Sequence, residues 1–454
     1  MIKKLSTLVA GLALICLTGC TSPQKGTAQN DVFSPIEVAV PERPAGQQDV
    51  IQLTTPKLDT VRVGFIGLGM RGPGAVERWT HIPGTKIVAL CDLLPENAER
   101  AQKIVTNAGM EAPVLYSGSE DAWKQLCERN DIDLVYIATD WKHHAEMGVY
   151  AMEHGKHVAI EVPSAMTLDE IWALINTSEK TTLNMAQQGL FGEVLHVEGA
   201  YIHNLEEFWP YYWNNWRLDY NNENRGDVYA THGLGPACQL LDIHRGDRMK
   251  TLVAMDTKAV TGPELGKRYG LANDSIEFQN GDHTMTFIRT ENGKTILIQH
   301  DVMNPRPYSR MYQLTGTDGF ANKYPIEQYC LRPDQVDAKE VPNHENLNMH
   351  AAVPEDVKKA LMQKYKHPIH QELEETAKKV GGHGGMDYIM DYRLVYCLRN
   401  GLPLDMDVYD LAEWCCMAEL TRLSIENGNA PVAVPDFTRG SWNKVKGYRH
   451  AFAK

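Results

Sequence analysis

Three glycines and one aspartate carry the first chemical signal in this chain. Val61–Ile66 is an apolar run, and Gly67, Gly69 and Gly72 follow it at Gly-x-Gly-x-x-Gly spacing. A helix-like segment comes next, then a second apolar run, Lys86–Leu90, leading to Asp92. Gly67 permits a tight turn, Gly69 lets backbone approach a pyrophosphate, and Gly72 allows a helix to pack closely on a strand. The helix N-terminus offers oriented N–H groups to phosphate oxygens. Asp92 stands 20 residues beyond Gly72, where a carboxylate accepts from a ribose 2′-hydroxyl and repels a 2′-phosphate. Strands on both sides of the glycines make a weak motif specific. The expectation is a dinucleotide site, with NAD preferred over NADP.

Further candidates lie where strands end. Thr139-Asp-Trp141-Lys142-His143-His144 follows the apolar run Leu134–Ala138, and Glu161-Val162-Pro163 follows His157–Ile160. Ligands of open parallel sheets sit beyond the carboxyl ends of the strands, so both loops are expected to border the nicotinamide half. Tyr201-Ile-His203-Asn204 ends a later strand, and Trp209–Arg217 is a loop crowded with aromatic and amide side chains. Stacking faces beside hydrogen-bonding rims suit a sugar, though a satellite core reads the same way. Tyr229 and His232 are three apart near a helix start, a spacing that lets both face one pocket as an acid/base pair; helix capping is the plainer use of that histidine. Pro305–Arg310 and Gly381-Gly-His383-Gly-Gly385 are further candidates for substrate contact. No paired carboxylates of the usual glycosidase kind, metal-ligand spacing or nucleophile elbow stands out.

The elements that must position these groups fall into two textures. Helical patterns at Glu96–Ala108, Ala122–Arg129, Ala145–His154 and Leu168–Lys180 alternate with short apolar runs, implying parallel strands with right-handed crossovers. From about residue 190 the chain turns β-rich, at Val194–His203, Leu252–Val260, His283–Thr290, Thr295–Val302 and Met311–Thr317, which implies an antiparallel sheet. Helices return at Glu355–Tyr365, His370–Lys379, Met386–Asn400 and Val408–Glu426. The expected fold is α/β: a doubly wound Rossmann domain over 61–181, then an α+β domain with a mostly antiparallel sheet over 182–454. The 454 residues carry a net charge of −13, which argues against nucleic acid as partner.

Lys3 and Lys4, the apolar stretch Leu8–Leu17 and Leu17-Thr-Gly-Cys20 read as a signal peptide over 1–20. The tetrapeptide resembles a bacterial lipoprotein box, so Cys20 is expected to be lipidated and to hold the protein in the cell envelope. Residues 21–60, rich in Pro, Gln, Ser and Thr, read as a flexible tether. Seven cysteines remain, an odd number without metal-type spacing, and buried free thiols are expected.

Taken together, the motifs resemble glycoside hydrolase family 109, NAD-dependent glycosidases within the Gfo/Idh/MocA oxidoreductase superfamily. The likeness runs from about Val61 to Asn427 and rests on the glycine loop, Trp141–His144, Glu161–Pro163, Tyr201–His203, Trp216-Arg217, Gly226–Gly233, Arg306–Tyr308 and the Gly381–Gly385 run. It implies that bound NAD takes a hydride from sugar C3, that the resulting ketone acidifies C2–H, and that elimination and addition of water at C1 replace ordinary hydrolysis. It implies cofactor contacts at Met70, Arg71, Asp92, Trp141, Lys142, His143, His144, Glu161 and Val162. Sugar contacts are implied at Tyr201, Arg217, Tyr229, Ala230, Thr231, His232 and Tyr308, with terminal N-acetylgalactosamine as substrate.

Two departures matter. Ordinary dehydrogenases of that superfamily show Glu-Lys-Pro where this chain has Glu161-Val162-Pro163, so the lysine of simple alcohol oxidation is missing. The family also has, after the helix matching Leu168–Thr181, a further strand and loop with an asparagine that touches NAD and a tyrosine proposed as C2 base. Here Thr177–Thr181 runs straight into Thr182–Gly189, and a strand with its flanks is expected to be lost. Rival readings are an NAD-dependent sugar or polyol dehydrogenase and a sugar-binding lipoprotein with impaired catalysis.

Overall fold

A computed structural model describes residues 34–447 apart from 46, 48, 176–189, 213–215, 270–277, 340 and 367. The signal segment, Cys20 and the expected strand loss after Thr181 lie outside the described residues.

The first sheet has the parallel strands β1 (Val61–Ile66), β2 (Thr85–Asp92), β3 (Val114–Ser117), β4 (Leu134–Ile137) and β5 (His157–Ile160), in the order β3-β2-β1-β4-β5. Helices α1 (Gly72–Thr80), α2 (Pro95–Asn107), α3 (Ala122–Cys127), α4 (Trp141–Glu153) and α5 (Leu168–Ile175) connect or flank them. Covering both faces is what makes β4 a continuous apolar run and β1 one broken only by Arg62. The strand order reverses between β1 and β4, and the loops after them meet there, at the switch point where such sheets bind ligands.

The second sheet has eight strands: β6 (Val194–Ile202), β7 (Met249–Asp256), β8 (Thr284–Thr290), β9 (Thr295–Asp301), β10 (Tyr312–Gly316), β11 (Gly319–Asn322), β12 (Gln328–Leu331) and β13 (Val432–Ala433). Their order is β12-β11-β10-β6-β9-β8-β7-β13, antiparallel except for the β6–β9 pair. Buried and exposed residues alternate along β8, the mark of a sheet with one face covered.

The remaining helices are α6 (Trp216–Glu223), α7 (Thr231–Leu240), α8 (Thr261–Tyr269), α9 (Glu355–Lys364), α10 (Pro368–Val380), α11 (Met386–Asn400), α12 (Val408–Cys415) and α13 (Met417–Glu426). One glycine pair sets α7 on β6. A Cβ on Gly199 would lie 2.2 Å from Gly233 O, so only glycine allows this backbone approach. Helix α11 packs back on the first sheet, where Arg78 Nε donates to Asp391 Oδ2 at 2.8 Å.

Several expectations change at their edges. Asp140 caps α4 through Lys142 N, so Trp141–His144 form a first helical turn and not a loop. Thr231 and His232 likewise open α7, ahead of the expected start at Ala237. Val408–Glu426 is broken at Cys416 into two helices. The tether expected to reach residue 60 is corrected from Ile36 onward: Ile36 N donates to Pro431 O at 2.8 Å, Leu58 N to Leu398 O at 3.2 Å, and Ile36, Val38, Val50 and Ile51 pack on the core. Its scattered apolar residues found a surface to bury. Seven cysteines, Cys91 to Cys416, are free and six of them are buried.

Candidate active site

In the glycine loop each glycine meets a different constraint. Gly67 has φ +89°, and a Cβ there would lie 2.6 Å from the Ala138 carbonyl. A Cβ on Gly72 would sit 2.0 Å from Gly67 O, whereas around Gly69 nothing lies within 4 Å. The open side is where a pyrophosphate can reach backbone. Asp92 Oδ2 accepts from Leu68 N at 2.6 Å, and Oδ1 accepts from Leu94 N at 2.9 Å and Asn97 Nδ2 at 3.0 Å. Arg100 Nη2 donates to Leu68 O at 2.9 Å. The loop is therefore braced without help from a ligand, with Met70 exposed on its crest. Arg71 lies beside it, 3.9 Å from Asp387 Oδ2. Open backbone, helix N-terminus and a carboxylate at the ribose position fit NAD.

Beyond β4, His143 Nδ1 pairs with Asp140 Oδ2 at 2.7 Å and Lys142 stands exposed. His144 lies deeper. Its buried ring faces Pro163 O at 2.8 Å and Thr139 O at 3.1 Å. The ring sits between the two loops, its one N–H in the neutral form shared between these carbonyls. Glu161 accepts from Tyr136 OH at 3.4 Å, and Val162 packs against the aromatic cluster of the second sheet.

That cluster brings the expected sugar residues together. Trp141 and Tyr229 stack with centroids 5.5 Å apart and planes 9° apart. Tyr201 meets Tyr229 at 5.1 Å and His232 at 4.8 Å. The Arg217 guanidinium lies 5.0 Å from the Trp141 ring and 4.7 Å from Tyr229, and its Nη1 donates to Tyr212 OH at 2.8 Å. Arg217 is 8% exposed and forms no salt bridge among the described residues. A buried cation without a carboxylate favours a polar or anionic ligand. Ala230 is buried, and Thr231 Oγ1 is buried without a partner among the described residues. Of the aromatic loop, Asn214 and Asn215 lie outside the described residues.

Tyr229 and His232 face one pocket, with Tyr229 OH and His232 Nε2 3.3 Å apart. Burial first, then the positive charges of Arg310 and Arg217, push the His232 pKa down to about 3. Burial holds the Tyr229 hydroxyl well above its ordinary value. At neutral pH the pair is thus a neutral phenol against a neutral imidazole, ready to pass one proton along a hydrogen bond.

Sequence reasoning missed the layer beneath. Asp227 is fully buried, its Oδ1 accepts from Tyr229 N at 3.2 Å, and burial pushes its pKa up to about 7. His300 lies 4.0 Å from Asp227 and parallel to Tyr201, and burial drives it down to about 3. The one signal available was Asp227 inside the Gly226–Gly233 motif; nothing local marks His300, 73 residues further on. His383, a weaker candidate, pairs with both Asp387 oxygens at 2.9 and 3.0 Å. Among the described residues no group of three or more His, Cys, Asp or Glu could hold a metal.

A parallel sheet with a braced dinucleotide loop, joined to a buried tyrosine–histidine pair in an aromatic pocket, defines an NAD-binding enzyme. Comparison with known proteins narrows the class. The family described as "Glycosyl hydrolase 109, C-terminal domain" matches residues 176–444, and "Oxidoreductase family, NAD-binding Rossmann fold" matches 61–187. A glycosyl hydrolase family 109 protein 1 of Phocaeicola vulgatus is 82% identical over 472 residues, covering 100% of both chains. One from Bacteroides thetaiotaomicron is 74% identical, again with 100% of each chain covered. The chain belongs to glycosyl hydrolase family 109, and it is a glycoside hydrolase with an NAD-binding domain. Solved structures share the fold at low identity: levoglucosan dehydrogenase with NADH and levoglucosan has a TM-score of 0.59 at 18% identity, covering 83% of this chain and 99% of its own. The myo-inositol dehydrogenase of Lactobacillus casei, in complex with NAD(H) and myo-inositol, gives 0.52 at 16%, covering 84% and 99%.

Proposed function

We propose that this protein removes terminal N-acetylgalactosamine, or a closely related sugar, from glycosides through transient oxidation of the sugar ring. The supporting observation is the Trp141–Tyr229 stack, which sets the Tyr229–His232 pair against the carboxyl end of β4. When bound, NAD supplies a hydride acceptor that later returns the hydride, so no net redox change accompanies cleavage.

The chain's own residues handle binding and protons. Gly67, Gly69, Gly72 and Arg71 hold the pyrophosphate, and Asp92 holds the ribose. Tyr201, Arg217 and Tyr308 seat the sugar, with Ala230 and Thr231 lining its floor. As a ring hydroxyl becomes a carbonyl, its proton passes to the Tyr229 oxygen while the Tyr229 proton crosses 3.3 Å to His232 Nε2. An imidazole with a pKa near 3 is a weak base. It suffices here, because a hydroxyl losing hydride becomes strongly acidic. The arginines that depress His232 also keep it free of a resting proton.

Incubation with p-nitrophenyl α- and β-N-acetylgalactosaminides in deuterated water tests the reading. Release of nitrophenol with deuterium at C2 of the freed sugar is expected, with no lasting absorbance from reduced cofactor. Protium retained at C2 would exclude elimination through a ketone, and accumulating NADH would favour the dehydrogenase reading.

A second reading, sugar binding with impaired turnover, is favoured by one observation. The alignment with the P. vulgatus relative spans 472 residues against the chain's 454, so the relative carries residues this chain lacks. For location, we propose lipidation at Cys20 and attachment to the cell envelope. No helix among the described residues is long and apolar enough to cross a membrane. Mass spectrometry of the purified protein, looking for an acylated N-terminal Cys20 peptide, tests that attachment.

A further inference from the structure

A chain of aromatic rings runs from the cofactor side of the site to solvent. Trp141 stacks on Tyr229, Tyr229 meets Tyr201, and Tyr201 meets His203 at 5.7 Å. His203 then touches Tyr308 at 4.9 Å and Phe208 at 5.6 Å, and Tyr308 meets Tyr324 at 6.4 Å. The burial changes abruptly along this path. Tyr201 is 6% exposed, whereas Tyr308 is 44% and Phe208 42% exposed. A satellite core would bury its outer rings as it does its inner ones; these stay open to water.

The shelf is held in place by backbone. Ile202 and Ser309 exchange two hydrogen bonds of 2.9 Å, which fixes Tyr308 beside the end of β6. The Glu206–Tyr211 turn that carries Phe208 is tied by Leu205 N to Val302 O at 3.0 Å, Tyr269 OH to Glu206 O at 3.2 Å and an Arg268–Glu206 ion pair. Exposed rings on fixed backbone bind with little ordering cost. Arg310, 5.8 Å from Tyr308 and 6.0 Å from Tyr201, puts a cation at the junction of the inner and outer rings.

We propose that Phe208 and Tyr324, lying outward of the terminal-sugar contact Tyr308, form a subsite for the second sugar, the one bonded to C1 of the residue being removed. The inference rests on the glycosidase reading and specifies its substrate: a glycan of two or more sugars. A pyranose offers an apolar C–H face to the rings and hydroxyls to Arg310. Continuity with the inner pocket decides for this occupant. The same ring chain that seats the first sugar at Tyr201 extends, without a gap, to the shelf.

The test compares a methyl N-acetylgalactosaminide, which has no second ring, with a disaccharide carrying the same terminal sugar. Phe208→Ala and Tyr324→Ala are each expected to lower kcat/KM for the disaccharide by about 3- to 13-fold, the upper part of the range for one aromatic stack. The methyl glycoside should change by less than about twofold, within the usual effect of a surface substitution. Equal losses on both substrates, or no loss on either, would overturn the subsite. So would a loss of binding to phosphatidylglycerol vesicles with disaccharide cleavage intact, since the shelf would then serve a membrane. If the wild-type protein cleaves neither glycoside, the glycosidase reading fails, and titration calorimetry with the same two ligands still reads the shelf. Tighter binding of the disaccharide, abolished by Phe208→Ala, supports it, and equal affinities refute it.

Discussion

Trp141 and Tyr229 lie face to face, 5.5 Å between centroids and 9° between planes. Trp141 opens α4 in the cofactor half, and Tyr229 precedes α7 in the half that moves protons. One stack therefore registers the two halves, with the Arg217 cation against both rings. Trp141→Ala is expected to cost about 3–5 kcal/mol of stability, as removal of a large buried ring does, and to lower turnover at least tenfold because the registration is lost, one tenfold step being about 1.4 kcal/mol. Trp141→Phe keeps a ring and should recover most of both. Melting curves and steady-state rates check this; Trp141→Ala behaving as wild type would remove the stack from the argument.

The glycine loop separates folding from cofactor binding at two neighbouring positions. Gly72→Ala puts a Cβ 2.0 Å from Gly67 O, a backbone atom that cannot step aside. That variant should lose several degrees of melting temperature along with NAD binding. Gly69→Ala meets nothing within 4 Å, so it should melt as wild type and still bind NAD at least tenfold more weakly. Equilibrium dialysis with NAD beside thermal melting distinguishes the two, and unaltered NAD affinity in Gly69→Ala would move the pyrophosphate elsewhere.

The pH behaviour follows from buried groups displaced in opposite directions. His232 and His300 are both pushed down to about 3, below the ordinary 6.5. Between pH 6.5 and 3 the unfolded chain takes up protons that the folded chain refuses, so these two erode stability as pH falls. Asp227 is pushed up to about 7 from 3.8. Its contribution is complete below pH 4 and is lost as pH rises through 7. Asp227→Asn, a neutral isostere, should therefore melt higher than wild type at pH 8 and about equally at pH 4. The same shift at both values would disprove the assignment. For catalysis, no acid limb is expected near pH 6.5. Arg310→Met removes a cause of the depression at His232 and should move the limb upward.

How much of this was legible depended on how local the signal was. The β1–loop–β2 unit was readable because parallel strands buried on both faces leave near-continuous apolar runs, and because each glycine answers a backbone constraint. Edge strand β3 escaped because its residues are half-exposed and leave no such run. Helices α6 and α8 escaped too, since polar residues and an early proline mask their period. Tyr229 and His232 could be paired from their spacing of three on a helix start. Asp227 with His300, and Arg78 with Asp391, could not: their partners lie 73 and 313 residues away, and only the fold brings them together. The position of the His144 ring between Pro163 O and Thr139 O was not legible either, because a histidine beside a ligand loop and a histidine bridging two loops carry the same sequence signature.

The segment after Thr181 gives the sharpest test of activity. The P. vulgatus relative aligns over 472 residues, while this chain has 454. Among the described residues the parallel sheet ends at β5. The family resemblance places a further strand here, with an NAD-contacting asparagine and a tyrosine proposed to take the C2 proton. If such a strand is missing, β5 lacks a neighbour on that side, a defect of several kcal/mol set against the roughly 5–15 that hold a domain folded. Inserting the relative's residues after Thr181 is expected to raise both melting temperature and nitrophenol release. Changing the inserted tyrosine to phenylalanine should then abolish the gain in rate but keep the gain in stability. If the chain without the insertion already turns over as fast as the one with it, Tyr229 and His232 handle the ring protons unaided, and the inserted residues are dispensable.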